Sequence, residues 1–168
     1  MQQDGNGLER YRHDQTCQTL RQFGIELASG SVSQFGGITH INNNHWIAFL
    51  ISPVESTIYV ADSLRQPTED NGLSVAAREA VDVLQWWLAT SYSSPNKSVL
   101  PFQIAWLPIA YQKDSISCGL LALNVLMHHL IPTKYSLCTN NNMVMLHVKF
   151  LTSILDHHDK LVSGHVQQ

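Results

Sequence analysis

The stretch "HWIAFLISPVESTIYVAD", residues 45–62, decides how the rest of the chain is read. Its first eight residues, 45–52, form a continuous apolar run that follows the turn-forming "NNN" of 42–44. A short apolar run bounded by Asn and Pro predicts a buried strand. Pro53 to Glu55 supplies a turn, and "STIYVAD" (56–62) predicts the returning strand of a hairpin. Such pairing sets the start of the first strand beside the end of the second. His45 and Asp62 stand 17 residues apart in sequence and are expected to meet in space.

Upstream, "GITHI" (37–41) reads as a short strand and "TCQTLRQFGIELA" (16–28) as a short helix, while residues 1–15 read as frayed. Downstream, 62–72 is a loop and 73–90 a helix with Ser74 as its N-cap. Ala77, Val81, Leu84 and Leu88 form its apolar stripe. Trp87 flanks the stripe, and Trp86 points elsewhere. After a loop over 91–98, residues 99–109 are strand-like, with Pro101 and Pro108 restricting the ends. "CGLLALNVLMHHL" (118–130) is a helix stopped by Pro132, and 143–158 is a final amphipathic helix. This order predicts an α+β domain over 16–160, with a flexible N-terminus (1–15) and a C-terminal tail (161–168).

Composition narrows the function. The 168 residues are 44% hydrophobic, which suits one domain with a real core. The net charge is −3 with only 10 Lys and Arg, and no basic stripe points to nucleic acid. No uncharged apolar run reaches the ~18 residues of a membrane span. The polar N-terminus has no signal-peptide core. Three cysteines, Cys17, Cys118 and Cys138, form no disulfide framework, and they fit a reducing compartment, nucleus or cytoplasm. Nine histidines raise the question of a metal. His13, Cys17, His128, His129, Cys138, His147, His157 and His158 are the candidate ligands. No C-x-x-C or H-E-x-x-H spacing occurs, and the adjacent histidine pairs point to different helix faces. No metal is expected.

Four polar residues fall at element edges, where catalytic groups are usually mounted. His45 opens a strand, and Asp62 closes its partner. Gln112 precedes Cys118 by six residues, and Cys118 opens an apolar helix. An ordinary thiol is only a few per cent thiolate at neutral pH. The helix N-terminus alone supplies about 0.3–1 kcal/mol, so a neighbouring imidazolium must activate the sulfur. Asp62 would hold that imidazole in the useful tautomer. The Cys118 N–H and the Gln112 amide are candidates for the donors a tetrahedral oxyanion needs. Gly119 leaves room for a substrate backbone at the helix start. Taken singly, each residue has an ordinary structural reading: a small core cysteine, a strand histidine, a turn aspartate.

Together, "NNHWIAFLI", "IYVADSL" and "YQKDSISCGLLALNVL" resemble the ubiquitin-like-protein-specific cysteine proteases, the SUMO protease family, which shares its fold with the adenovirus-type proteases. The matching positions are His45 and Trp46, Asp62 and Ser63, Gln112, and Cys118 with Gly119, over roughly residues 35–130. The resemblance implies a papain-like α+β fold, with a central mixed sheet flanked by helices and the nucleophile at the N-terminus of a central helix. It also implies Cys118 as nucleophile, His45 as base, Asp62 as orienter and Gln112 as oxyanion donor. Trp46 and Gly119 would bind substrate, with Trp46 lining a narrow channel for a Gly-Gly tail. The sequence departs from the family at Ser117, where SUMO-specific members usually carry Asp. It also has no tryptophan before Trp46 to match an upstream channel-closing helix, as expected of a shortened or diverged member.

The resulting expectation is a thiol protease or isopeptidase with a Cys-His-Asp triad and no cofactor. Its partner would be a ubiquitin-like modifier, SUMO-like first, or its conjugates, with neither nucleic acid nor membrane. The alternative is a catalytically weak or inactive truncated relative acting as a binding module. An acetyltransferase of the same structural clan ranks last, because it would bind a polyanionic activator through basic residues, in which this chain is poor.

Overall fold

In the computed structural model, residues 5–65, 72–92 and 101–165 are described. Residues 93–98 of the loop expected over 91–98, residues 66–71 of the loop expected over 62–72, the start of the 99–109 segment and the last residues of the tail lie outside them. Helix α1 (Gly5–His13), a 3-10 turn (Gln15–Cys17) and α2 (Gln18–Ser29) precede strands β1 (Phe35–Ile41), β2 (His45–Ser52) and β3 (Thr57–Ala61). Then come α3 (Val75–Tyr92), β4 (Gln103–Trp106), α4 (Cys118–Leu130) and α5 (Met143–His165). The class is the mixed α+β one read from the sequence.

The four strands lie in sequence order in one sheet. β1–β2 and β2–β3 are antiparallel, and β3–β4 is parallel. A parallel pair needs a long crossover, and α3 lies within the connection that makes it. Two tight turns carry the meander. Asn42 and Asn43 take φ of 52° and 57°, and Ser56 takes 49°. Asparagine tolerates the left-handed region well, which explains the "NNN" between β1 and β2.

β2 is apolar on both faces because both faces are covered. Ile47 and Ile51, with Ile58 and Val60 of β3, pack against Leu27 of α2 and Ala77, Val81, Trp87 and Leu88 of α3. Ala48 and Leu50, with Ala61, pack against Ala122, Val125 and Leu126 of α4. Each large side chain so buried contributes about 1.5–3 kcal/mol. Ser74 caps α3 as expected, its Oγ accepting from Ala77 N–H at 3.2 Å.

Several boundaries differ from the sequence reading: β1 starts at Phe35 rather than 37, the expected 16–28 helix divides into the 3-10 turn and α2, and α3 begins at Val75 rather than 73 and runs through Tyr92 into the expected 91–98 loop. Gly5–His13 is helical rather than frayed. Tyr11 is buried, its ring meets Trp86 at 5.4 Å, and its hydroxyl accepts from Trp87 Nε1 at 3.1 Å. Arg21 Nη1 also donates to the Tyr11 and Asp14 carbonyls at the end of α1. β4 is four residues long, shorter than the 99–109 segment, though Leu107 N–H still bonds to Val60 O at 2.9 Å. The proline ring of Pro108 has no N–H with which to continue that ladder. α5 runs to His165, into the segment read as a tail.

Candidate active site

His45 is the first residue of β2, and Asp62 directly follows β3. The β2–β3 register ends at Ala48↔Ala61. Continued one step, it sets Asp62 opposite Ile47, whose face His45 shares. Diagonal neighbours of this kind are within reach of long side chains. His45 Nε2 lies 2.7 Å from Asp62 Oδ1, and both residues are buried. The same Oδ1 accepts from Leu64 N–H at 2.9 Å. That oxygen acts as an acceptor, so Nε2 carries a proton and Nδ1 is the nitrogen left for other chemistry.

Trp46 joins this strand end to the start of α4. Its ring is half exposed and packs on His40, the residue opposite it in β1, at 4.6 Å between centroids. A Cβ placed on Gly119 would sit 3.6 Å from Trp46 Cδ1. In sequence, His45 precedes Trp46 and Cys118 precedes Gly119. Cys118 is the first residue of α4 and is buried. A helix start presents backbone N–H groups without intrahelical partners, a ready site for negative charge. Among the described residues, the Cys118 thiol makes no hydrogen bond, to His45 or to any other group. Catalytic contacts are often long in a substrate-free site and tighten with substrate.

Gln112 is held at three points. Its N–H donates to Ser63 O at 2.8 Å. Ser63 Oγ donates to Gln112 Oε1 at 3.0 Å, and Gln112 Nε2 donates to Asp114 O at 2.6 Å. A main-chain carbonyl only accepts, so this contact assigns Nε2 as the amide's donor end. The amide is planar, so these two anchors set the direction of its second N–H. Ser63 follows Asp62, and the two halves of the site are thus joined through one dipeptide.

The turn between Gln112 and Cys118 is organised by Asp114. Its carboxylate accepts from Ile116 N–H at 2.9 Å, Ser117 N–H at 2.7 Å and Ser117 Oγ at 2.5 Å. The hydrogen bond from the Ser117 hydroxyl, followed by that from the Ile116 N–H, holds the Asp114 carboxyl below the usual carboxylate range. His147 Nε2, from α5, lies 3.0 Å from Ser117 Oγ.

The structure thus joins His45 to Asp62 and Trp46 to Gly119, and ties Gln112 to the residue after Asp62. Sequence reasoning gave no role to His40, Asp114 or His147. The "KDSIS" turn carried a signal for Asp114, since Asp side chains commonly bond backbone N–H groups two and three residues on. The other two had none. Among the described residues no group of three or more His, Cys, Asp and Glu stands together as a metal site would require.

A family model, the Ulp1 protease family's C-terminal catalytic domain, matches residues 38–161. The chain belongs to the Ulp1 protease family. That match takes in every motif described above, from His45 to Gly119. Among solved structures, this Ulp1-family chain is similar to the SUMO protease Ulp1 with its catalytic cysteine oxidised to a sulfenic acid, at TM-score 0.55 and 15% identity. The similarity covers 85% of this chain and 62% of that one. It is also similar to the C-terminal Ulp1 protease domain in complex with Smt3, the yeast ortholog of SUMO, at TM-score 0.54 and 16% identity. Here 84% of this chain and 57% of that one are covered. At these identities the likeness is one of fold, and the chain spans less than two thirds of either Ulp1 structure. No curated protein sequence matches it.

Proposed function

We propose that this chain is a cysteine peptidase that cleaves after the Gly-Gly-type tail of a ubiquitin-like modifier, a SUMO-like one first, in the nucleus or cytoplasm. Cys118 Sγ gives its proton to His45 and attacks the carbonyl of the terminal glycine. Asp62 keeps Nε2 protonated and stabilises the imidazolium. The Cys118 N–H and Gln112 Nε2 bind the oxyanion. As the intermediate collapses, His45 returns the proton to the leaving amine and a thioester remains. Water, deprotonated by His45, then releases the acid and regenerates the thiol. Trp46 covers the approach to Gly119, where a tail without side chains passes most easily.

The observation that carries this reading is the buried His45–Asp62 contact at 2.7 Å, one residue from the Trp46–Gly119 contact at the head of α4. A second reading, a binding module that keeps the fold, draws on the Cys118 thiol, which has no hydrogen bond among the described residues. Covalent capture separates the two. SUMO, ubiquitin and other ubiquitin-like probes with a C-terminal electrophile are incubated with the protein, with Cys118→Ala as blank, and adducts are read by intact mass. We expect a Cys118-dependent adduct, strongest with a SUMO-like probe. A folded protein that forms no such adduct and cleaves no short Gly-Gly ester is the binding module.

The nucleophile has its own test. Cys17, Cys118 and Cys138 are all free thiols. Burial pushes the Cys138 thiol up, which lowers its thiolate fraction. At about pH 6.5 an alkylating reagent is expected to label Cys118 first, as the thiol at a helix N-terminus and the one proposed to be activated by His45. Peptide mapping that finds all three labelled at equal rates rules this assignment out.

A further inference from the structure

We infer that Asp114 is a positioning residue for both oxyanion donors, setting the Gln112 amide with its main-chain carbonyl and the approach to the Cys118 N–H with its carboxylate. The inference rests on the reading of Cys118 and Gln112 given above.

Two donors that converge on one oxygen must be fixed relative to each other. Here they sit six residues apart on a surface turn, where the backbone would otherwise be mobile. Asp114 spans the gap. Its carbonyl takes one N–H of Gln112 Nε2, which leaves the other to act and fixes its direction. One carboxylate oxygen takes the Ile116 and Ser117 N–H groups, and the other takes the Ser117 hydroxyl. Ser117 is the residue whose φ and ψ set the entry into α4, and it is fully buried. Its own side chain does not cap the helix; it turns back to Asp114 and meets His147 of α5. The Asp114 carboxyl is held below the usual carboxylate range and remains an acceptor at neutral pH. Preorganised donors of this kind act on charge that develops in the transition state, so misaiming them slows acyl transfer and leaves thiol reactivity alone.

Asp114→Ala and Asp114→Asn are compared with the wild type in three measurements: kcat on a short Gly-Gly ester, the rate of Cys118 alkylation by iodoacetamide, and hydrogen exchange of the Gln112 side-chain amide by NMR. Asp114→Ala keeps the main-chain carbonyl but removes the carboxylate that fixes the turn carrying it, so it is expected to lower kcat about tenfold or more, to leave alkylation nearly unchanged and to speed Gln112 amide exchange. Asp114→Asn keeps an oxygen for the two N–H groups and an amide for the Ser117 hydroxyl, and is expected to restore all three. An equal fall of kcat and alkylation in Asp114→Ala marks a general structural role and overturns the inference, as does no change in any measurement. If the wild type turns over no ester, the proposed peptidase activity fails first. The positioning role is then decided by exchange alone: unchanged Gln112 exchange in Asp114→Ala overturns it, and accelerated exchange that Asn reverses upholds it.

Discussion

Asp62→Ala is expected to lower kcat on a Gly-Gly ester by a factor on the order of 10⁴, the scale seen when the orienting carboxylate of a triad is lost. The geometry separates two contributions within that figure. Asp62 Oδ1 receives both His45 Nε2–H and Leu64 N–H. In Asp62→Asn the Leu64 N–H holds the amide with its oxygen in that same place, so the histidine tautomer survives and only the charge is lost. Asp62→Asn should therefore recover part of the rate lost in Asp62→Ala. Single-turnover kinetics of the three proteins, with circular dichroism to confirm folding, checks this. If Asn is as poor as Ala, charge rather than orientation is what Asp62 supplies. If both match the wild type, Asp62 is not part of the machinery.

The second large effect is at Gln112. Gln112→Ala should cost about 2.7–4 kcal/mol of transition-state stabilisation, or 10²–10³ in kcat, as for other lost oxyanion donors. Alkylation of Cys118 by a small reagent forms no tetrahedral oxyanion and should stay within about twofold of wild type. The substitution also leaves the Ser63 hydroxyl, which is 1% exposed, without its acceptor. A buried hydroxyl so stranded costs about 1–3 kcal/mol, so the melting temperature should fall by several degrees. A loss of stability with no loss of kcat would make Gln112 a packing residue.

The hairpin at the centre of the fold was legible because its signals are local. The apolar run of 45–52, the asparagine turn and the return through "TIYVA" occupy one short window of sequence, and β2 and β3 formed there. Ser74 and the stripe of Ala77, Val81 and Leu88 were legible for the same reason. What escaped depends on distant partners. "GNGLERYRH" has one aromatic and no apolar periodicity of its own, and its helix is fastened by Trp86 and Trp87 more than seventy residues away. Within the site, the hairpin implied that His45 and Asp62 meet. The Ser63–Gln112 bond and the His147–Ser117 contact join different elements, and no spacing rule relates them. The family resemblance supplied the role of Gln112, but not the residues that aim it.

The difference in span between the two site contacts orders their assembly. His45 and Asp62 are 17 residues apart, whereas Ser63 and Gln112 are 49 apart. Loop-closure entropy rises with the logarithm of length, making the second contact about 1 kcal/mol dearer to close. The hairpin is also synthesised first, and contacts close in sequence form sooner. A chain emerging from the ribosome therefore presents the hairpin that pairs His45 with Asp62 before the helix that carries Cys118 has been made. The proposed nucleophile and oxyanion donors are therefore the last parts of the site to be synthesised, after the hairpin that holds His45 and Asp62.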